Sequence, residues 1–249
     1  MGQGHAVLGG RRAIVISGPD LGRALSMRLR QAGAEVADLH WDAGAGIDPD
    51  SPAMIGGLVG EAAKRLGDVD VLVVDLLPTV APCPLDAMST DAMTAALGRV
   101  AGTAAAMNAA HDALCRSDHA RIIVIGHRYG QGVAEGIAPY NAAAWALVGV
   151  VRSAALDWGR HGIATNLLLP GAATAVFDAA RAERPALMDA LVAQLPLGRM
   201  GDPVADIGGA VVTLAGDAGR FVNGQTIHAD GGRHIAGAVI YPIRLARSR

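Results

Sequence analysis

Short, continuously apolar runs alternate along the chain with longer stretches in which apolar residues return at helical spacing. Ala13 to Ser17, Glu35 to Leu39, Val69 to Asp75, Arg121 to Gly126 and Thr165 to Leu169 read as strands. Arg23 to Ala32, Ile55 to Leu66, Asp91 to Arg116 and Tyr140 to Trp158 read as helices. A strand that is apolar at successive positions is covered on both faces, which implies a parallel sheet between two helix layers. Right-handed crossovers then give an α/β fold of the doubly wound, Rossmann type. No polar linker or shift of composition breaks the alternation, and no internal repeat is evident. The expectation is a single domain over residues 1–249, with 1–11 as an N-terminal arm and 234–249 as a C-terminal tail.

Composition narrows the picture. A chain of 249 residues can bury a substantial core. With 51% hydrophobic but only 3% aromatic residues, and 33 glycines, that core is built from Ala, Val, Leu and Gly, which suits close helix-on-sheet packing. A formal net charge of −2 leaves no electrostatic footprint for nucleic acid or an anionic membrane. The start lacks a charged segment followed by an apolar one, so no export signal is expected, and no apolar run approaches the roughly 20 residues of a membrane span. Cys83 and Cys115 are scattered, consistent with a reducing cytoplasm. His5, His111, His119, His161, His228 and His234 show no ligand spacing with cysteines or carboxylates, so no metal site is expected.

Two stretches of the C-terminal third carry a family resemblance: Pro196-Leu197-Gly198-Arg199-Met200-Gly201-Asp202-Pro203, and the run from Phe221-Val222-Asn223-Gly224 through Asp230-Gly231-Gly232. With Pro170-Gly171 after a strand, they resemble the closing segment of short-chain dehydrogenases/reductases, and the resemblance extends over about residues 12 to 233. The strand at Arg121 to Ile125, the loop after it and the helix from Tyr140 match the layout that carries the family's Tyr-x-x-x-Lys pair.

The resemblance implies a relay in which a tyrosinate exchanges the hydroxyl proton, a lysine lowers its pKa, a serine fixes the substrate oxygen and an asparagine anchors a water chain. These positions fall at Tyr140, Ala144, His127 and Gly98, so the tyrosine alone remains. Without a neighbouring cation a tyrosine ionises near pH 10, about one molecule in a thousand at neutrality, which is roughly 4 kcal/mol of missing activation. An imidazole can titrate near neutrality and Arg128 beside His127 is cationic, so an atypical relay through Tyr140 and His127 is the alternative.

The family's phosphate-binding turn corresponds to Ser17-Gly18-Pro19-Asp20-Leu21-Gly22-Arg23-Ala24, two residues short. Pro19 contributes no N–H and Asp20 sets a carboxylate near a diphosphate, so this degenerate turn (Gly18, Pro19, Asp20, Gly22) is expected to bind no dinucleotide, although Arg23 could meet a phosphate. The position that accepts ribose hydroxyls in NAD-preferring members falls near His40, between Asp38 and Asp42, and Asp38 could serve if its strand ends early. Val74-Asp75-Leu76-Leu77 stands where the family has Asn-Asn-Ala-Gly, and leucine there is expected to intrude on nucleotide space.

Residues 91–116 and 140–158 correspond to the family's interface helices and are rich in Ala and Gly, which permits close approach. The tail from Ile235 through Val239-Ile240-Tyr241-Pro242-Ile243 is apolar beyond the sheet. The resemblance therefore implies a cytoplasmic, catalytically inactive subunit that forms a heterotetramer with an active relative, the partner holding the NAD(P). The nearest analogy is the family's hetero-oligomeric dehydrogenase for 2-[hydroxy(phenyl)methyl]succinyl-CoA in anaerobic toluene breakdown, in which one subunit type lacks the catalytic residues. The alternatives are an atypical NAD(P)-dependent oxidoreductase using Tyr140 and His127, and a non-catalytic metabolite sensor.

Overall fold

β1 (Arg12–Ser17), β3 (Val71–Asp75), β4 (Arg121–Ile125) and β5 (Ala164–Pro170) are buried along almost their whole length, as their unbroken apolar sequences require. With β2 (Glu35–His40) and β6 (Thr226–Ala229) they form one six-stranded parallel sheet in the order β2-β1-β3-β4-β5-β6. The computed structural model describes residues 6–18, 21–41, 46–76, 83–127 and 136–236. Among these, no helix is long and apolar enough to cross a membrane.

Alternation along the strands divides the core into two layers. Ile14, Ile16, Leu72, Val74, Ile122 and Val124 join one apolar cluster with α2 (Pro52–Leu66), α3 (Thr90–Leu114) and α4 (Ala138–Gly159). Val15, Val71, Val73, Ile123 and Ile125 face the other way, toward α1 (Gly22–Gln31) and α7 (Gly208–Ala215). Local chemistry fixes the helix starts. Ser51 Oγ accepts from Met54 N at 3.3 Å with Pro52 in the first turn of α2, and Ser89 Oγ accepts from Ala92 N at 3.2 Å at the start of α3. Part of the small-residue run of α3 serves packing within the chain. A Cβ added at Gly56 of α2 would lie 3.5 Å from Ala105 Cβ, and one at Gly60 3.9 Å from Ala109 Cβ, so the two helices approach closely.

At the N-terminal end, Leu8 is buried and its N–H donates to Ala32 O at 2.8 Å. Arg11 reaches Ala215 O at 2.9 Å and Asp217 Oδ1 at 2.6 Å, so residues 6–11 are fastened to the body. The tail beyond Ala236 lies outside the described residues.

The sequence reading placed no elements after β5. The chain forms α5 (Ala175–Glu183), α6 (Pro185–Ala193), a π-helical turn at Pro203–Ile207, α7, β6 and α8 (Arg233–Ala236). The closing motif has a physical purpose here. Buried Asn166 donates to Val222 O at 2.6 Å and accepts from Gln225 N at 3.0 Å, while Asn223 bridges Thr165 N and Ala155 O, which lines β6 up on β5. Gly171 is required by close approach, since a Cβ there would sit 2.8 Å from Asp230 Cα.

Candidate functional site

All strands point the same way, so the segments following β1, β2, β3 and β4 meet at one rim of the sheet. The chain winds outward from β1 in both directions, to β2 on one side and β3 on the other, which makes the gap beyond β1 and β3 the topological switch point where ligands of such sheets bind.

At this rim the end of β1, the end of β2 and the start of α1 pack tightly. Ser17 is fully buried and its Oγ lies 3.1 Å from His40 Nδ1. A Cβ at Gly22 would come within 1.7 Å of that Oγ and 2.8 Å of the His40 ring, so the first residue of α1 must be glycine for these elements to meet. β2 runs on through His40 and does not end early. Asp38 is paired with Arg30 and lies 3.4 Å from His40 Nε2, so its carboxylate is engaged within the protein.

Beyond His40, Trp41 lies over Gly18, with ring atoms 3.2 Å from where a Cβ would stand. The Arg99 guanidinium sits 5.8 Å from the centre of the Trp41 ring, donates to Leu76 O at 3.4 Å and pairs with Asp50. Gly98, the position expected for the family's asparagine, faces the Asp50 carbonyl instead. Arg99, one residue on, is thus the side chain of α3 that reaches the end of β3. Sequence reasoning missed it, and its only signal was a lone cation in an Ala- and Gly-rich helix.

Leu76 does not lie across the nucleotide side. It is 1% exposed and turned into the core, with Cδ1 3.3 Å from the position of a Cβ on Gly102. α1 begins at Gly22 directly behind this rim, with exposed Arg23 in its first turn. The described residues at the place where such a fold holds a dinucleotide are thus the start of α1 with Arg23, and the group of Gly18, Trp41 and Arg99. Pro19, Asp20, Asp42, Leu77 and Arg128 lie outside the described residues.

Across the rim, His127 follows β4 and its ring meets the Tyr140 ring edge-on, centroids 5.4 Å apart at 86°. The structure therefore brings together the two residues expected to share a site. Ala144, one turn along α4, is 2% exposed and presents only a methyl group beside Ala143 and Leu147.

A sequence model of the family described as enoyl-(acyl carrier protein) reductase matches residues 20–234. The chain belongs to the short-chain dehydrogenase/reductase family. Among its relatives in that family is the (2S)-[(R)-hydroxy(phenyl)methyl]succinyl-CoA dehydrogenase subunit BbsD of Thauera aromatica, 30% identical over 198 residues, 79% of this chain and 77% of that one. Among solved structures, a gluconate 5-dehydrogenase from Burkholderia cenocepacia J2315 in complex with NADP and tartrate superposes with a TM-score of 0.79 at 28% identity, covering 92% of this chain and 97% of the other. A blue fluorescent protein from a metagenomic library, in complex with NADPH, superposes with a TM-score of 0.80 at 30% identity, covering 91% and 98%.

These complexes overturn the expectation that the chain leaves dinucleotide binding to a partner. The fold shared over more than nine-tenths of the chain is one that holds NADP or NADPH in both neighbours. One physical reason for the error lies at Leu76, which is buried beneath α3 instead of intruding on nucleotide space.

Proposed function

We propose that this chain binds NAD(P) itself and works as a subunit of a cytoplasmic hetero-oligomeric dehydrogenase, beside a relative that carries the family's complete proton relay. The observation that carries the reading is Ala144. A buried methyl group stands one helical turn from Tyr140, where the relay needs an ammonium to hold the tyrosine hydroxyl near ionisation. The first turn of α1, with Arg23, would hold the phosphates, and the Gly18, Trp41 and Arg99 group would flank the nucleotide. When bound, a nicotinamide supplies the hydride acceptor or donor.

Exposed apolar side chains on the face of α4 that also carries Arg152 support assembly. Trp145 is 49% exposed and Leu156 82% exposed, Gly149 between them faces open space, and Leu97 of α3 is exposed as well. The likeness to a subunit named for a hydroxy(phenyl)methylsuccinyl-CoA dehydrogenase makes β-hydroxyacyl-CoA the substrate class to try first. The edge-on contact of His127 with Tyr140 favours a second reading, in which the imidazole takes the tyrosine proton and the chain turns over substrate alone.

Titration of the purified chain with NADH and NADPH, alone and then co-expressed with its nearest encoded relative, tests these statements separately. Binding by the lone chain, no oxidation of β-hydroxyacyl-CoA by it, and turnover by a mixed oligomer are expected. Turnover by the lone chain would replace this reading with the second, and absence of binding to either nucleotide would remove the cofactor assignment.

A further inference from the structure

α3 and α4 lie side by side and run against the strands, so their C-terminal ends come together at the rim opposite the candidate site, where β4 and β5 begin. There α3 presents His111 and Cys115 one turn apart, and the turn that ends α4 presents His161, whose N–H donates to Trp158 O at 2.9 Å. His111 Nε2 lies 3.5 Å from Cys115 Sγ. The His111 and His161 rings are 5.4 Å apart at 68°, and one donor atom from each of the three residues lies within 4.8 Å of the others. The Trp158 ring backs His111 at 4.9 Å.

We propose that His111, Cys115 and His161 form a site for a divalent transition metal of the zinc class. One thiolate and two imidazoles are a borderline-soft donor set that suits zinc and its neighbours over magnesium or calcium. The separation within the α3 pair suits a shared ion, and a turn of the His111 ring, whose Nδ1 now lies 3.9 Å from Sγ, would aim Nε2 at it. In a tetrahedral site, a sulfur at about 2.3 Å and a nitrogen at about 2.05 Å from zinc stand roughly 3.6 Å apart, against 3.5 Å between Sγ and Nε2. A carboxylate is at hand for the second nitrogen of His111: Nδ1 lies 3.2 Å from Asp112 Oδ1, which would accept its N–H while Nε2 binds the metal. The guanidinium of Arg116, next to Cys115, is directed elsewhere, bonding Asp68 Oδ1, Gly67 O and Asp112 O. Binding would release the Cys115 thiol proton to solvent and leave the fourth position to water. All three ligands are accessible, so the metal can enter from solution.

The test is Co2+ titration of the tag-free full chain, followed by displacement with Zn2+. One cobalt per chain is expected, with the near-ultraviolet sulfur-to-cobalt absorption and the visible bands of a four-coordinate ion. Cys115→Ser should abolish the sulfur band and Cys83→Ser should leave it intact. His161→Ala should remove the four-coordinate spectrum, and Asp112→Asn should weaken affinity about 10-fold or more. These positions are on the surface, so unchanged circular dichroism is expected and keeps the comparison valid. Absence of the sulfur band, or cobalt uptake that survives Cys115→Ser unchanged, would overturn the assignment and leave an ordinary thiol–imidazole contact.

Discussion

The tight packing of the ends of β1 and β2 on the start of α1 makes Gly22→Ala the most exposed prediction. The new methyl carbon would stand 1.7 Å from Ser17 Oγ and 2.8 Å from His40 Nδ1, and Ser17 is fully buried. The hydroxyl must swing away, breaking its 3.1 Å contact with His40 and leaving buried polar groups without that partner, about 1–3 kcal/mol. Overpacking adds about 1–3 kcal/mol. The sum, roughly 2–6 kcal/mol, corresponds in a chain of this size to a fall in Tm of roughly 4–24 °C. Thermal unfolding followed by circular dichroism measures it, with NADPH affinity falling in parallel because the α1 N-terminus is displaced. The clash is with one atom, so Ser17→Ala in the Gly22→Ala background should recover part of the loss, with a coupling of about 1 kcal/mol or more in the double-mutant cycle. A stable Gly22→Ala protein, or strictly additive effects of the two changes, would refute the geometry of this contact.

Ala144→Lys should cost about 1–3 kcal/mol from overpacking beside Ala143 and Leu147, visible as a lower Tm. It should also give no turnover in the lone chain, because His127 still occupies the serine position; NAD(P)-dependent activity from that single change would contradict the proposal. Arg11→Leu should lower stability in urea by about 1.5–3 kcal/mol, since it removes charged hydrogen bonds to Ala215 O and Asp217. An unchanged urea midpoint would show that the N-terminal segment is not held there. His228, with a side chain 7% exposed, has its pKa held below 6.5 by burial and then by the His234 ring stacked 3.8 Å away, against the opposing pull of Asp230. The folded chain therefore binds fewer protons than the unfolded one, so this contribution is intact above 6.5 and is lost as pH falls through the folded value. Urea midpoints at about pH 7 and about pH 5 should differ more in the wild type than in His228→Gln, and equal differences would remove His228 as the source.

What the sequence settled by itself is local. Apolar runs of strand length between helical patterns fixed a parallel sheet with two covered faces, because side-chain alternation and helical period are properties of the chain. The family motifs fixed Tyr140, His127 and Ala144 on one rim, because the strand and helix that carry them are adjacent in the chain. Even the direction of Leu76 was legible in retrospect, since it follows Leu72 and Val74 on the α3 face. That the residue fits there depends on Gly102 of α3, and no local pattern shows such room, so its effect on the nucleotide was misjudged. Arg99 reaches the end of β3 only through the rotation and depth of α3 against the sheet, which displaced the expectation for Gly98. His111 and Cys115 stood at helical spacing from the start, but His161 belongs to the turn after another helix. Only the packing of α3 beside α4, with their ends level, brings the third donor within reach, because distances between elements are set by the side chains that fill the space between them.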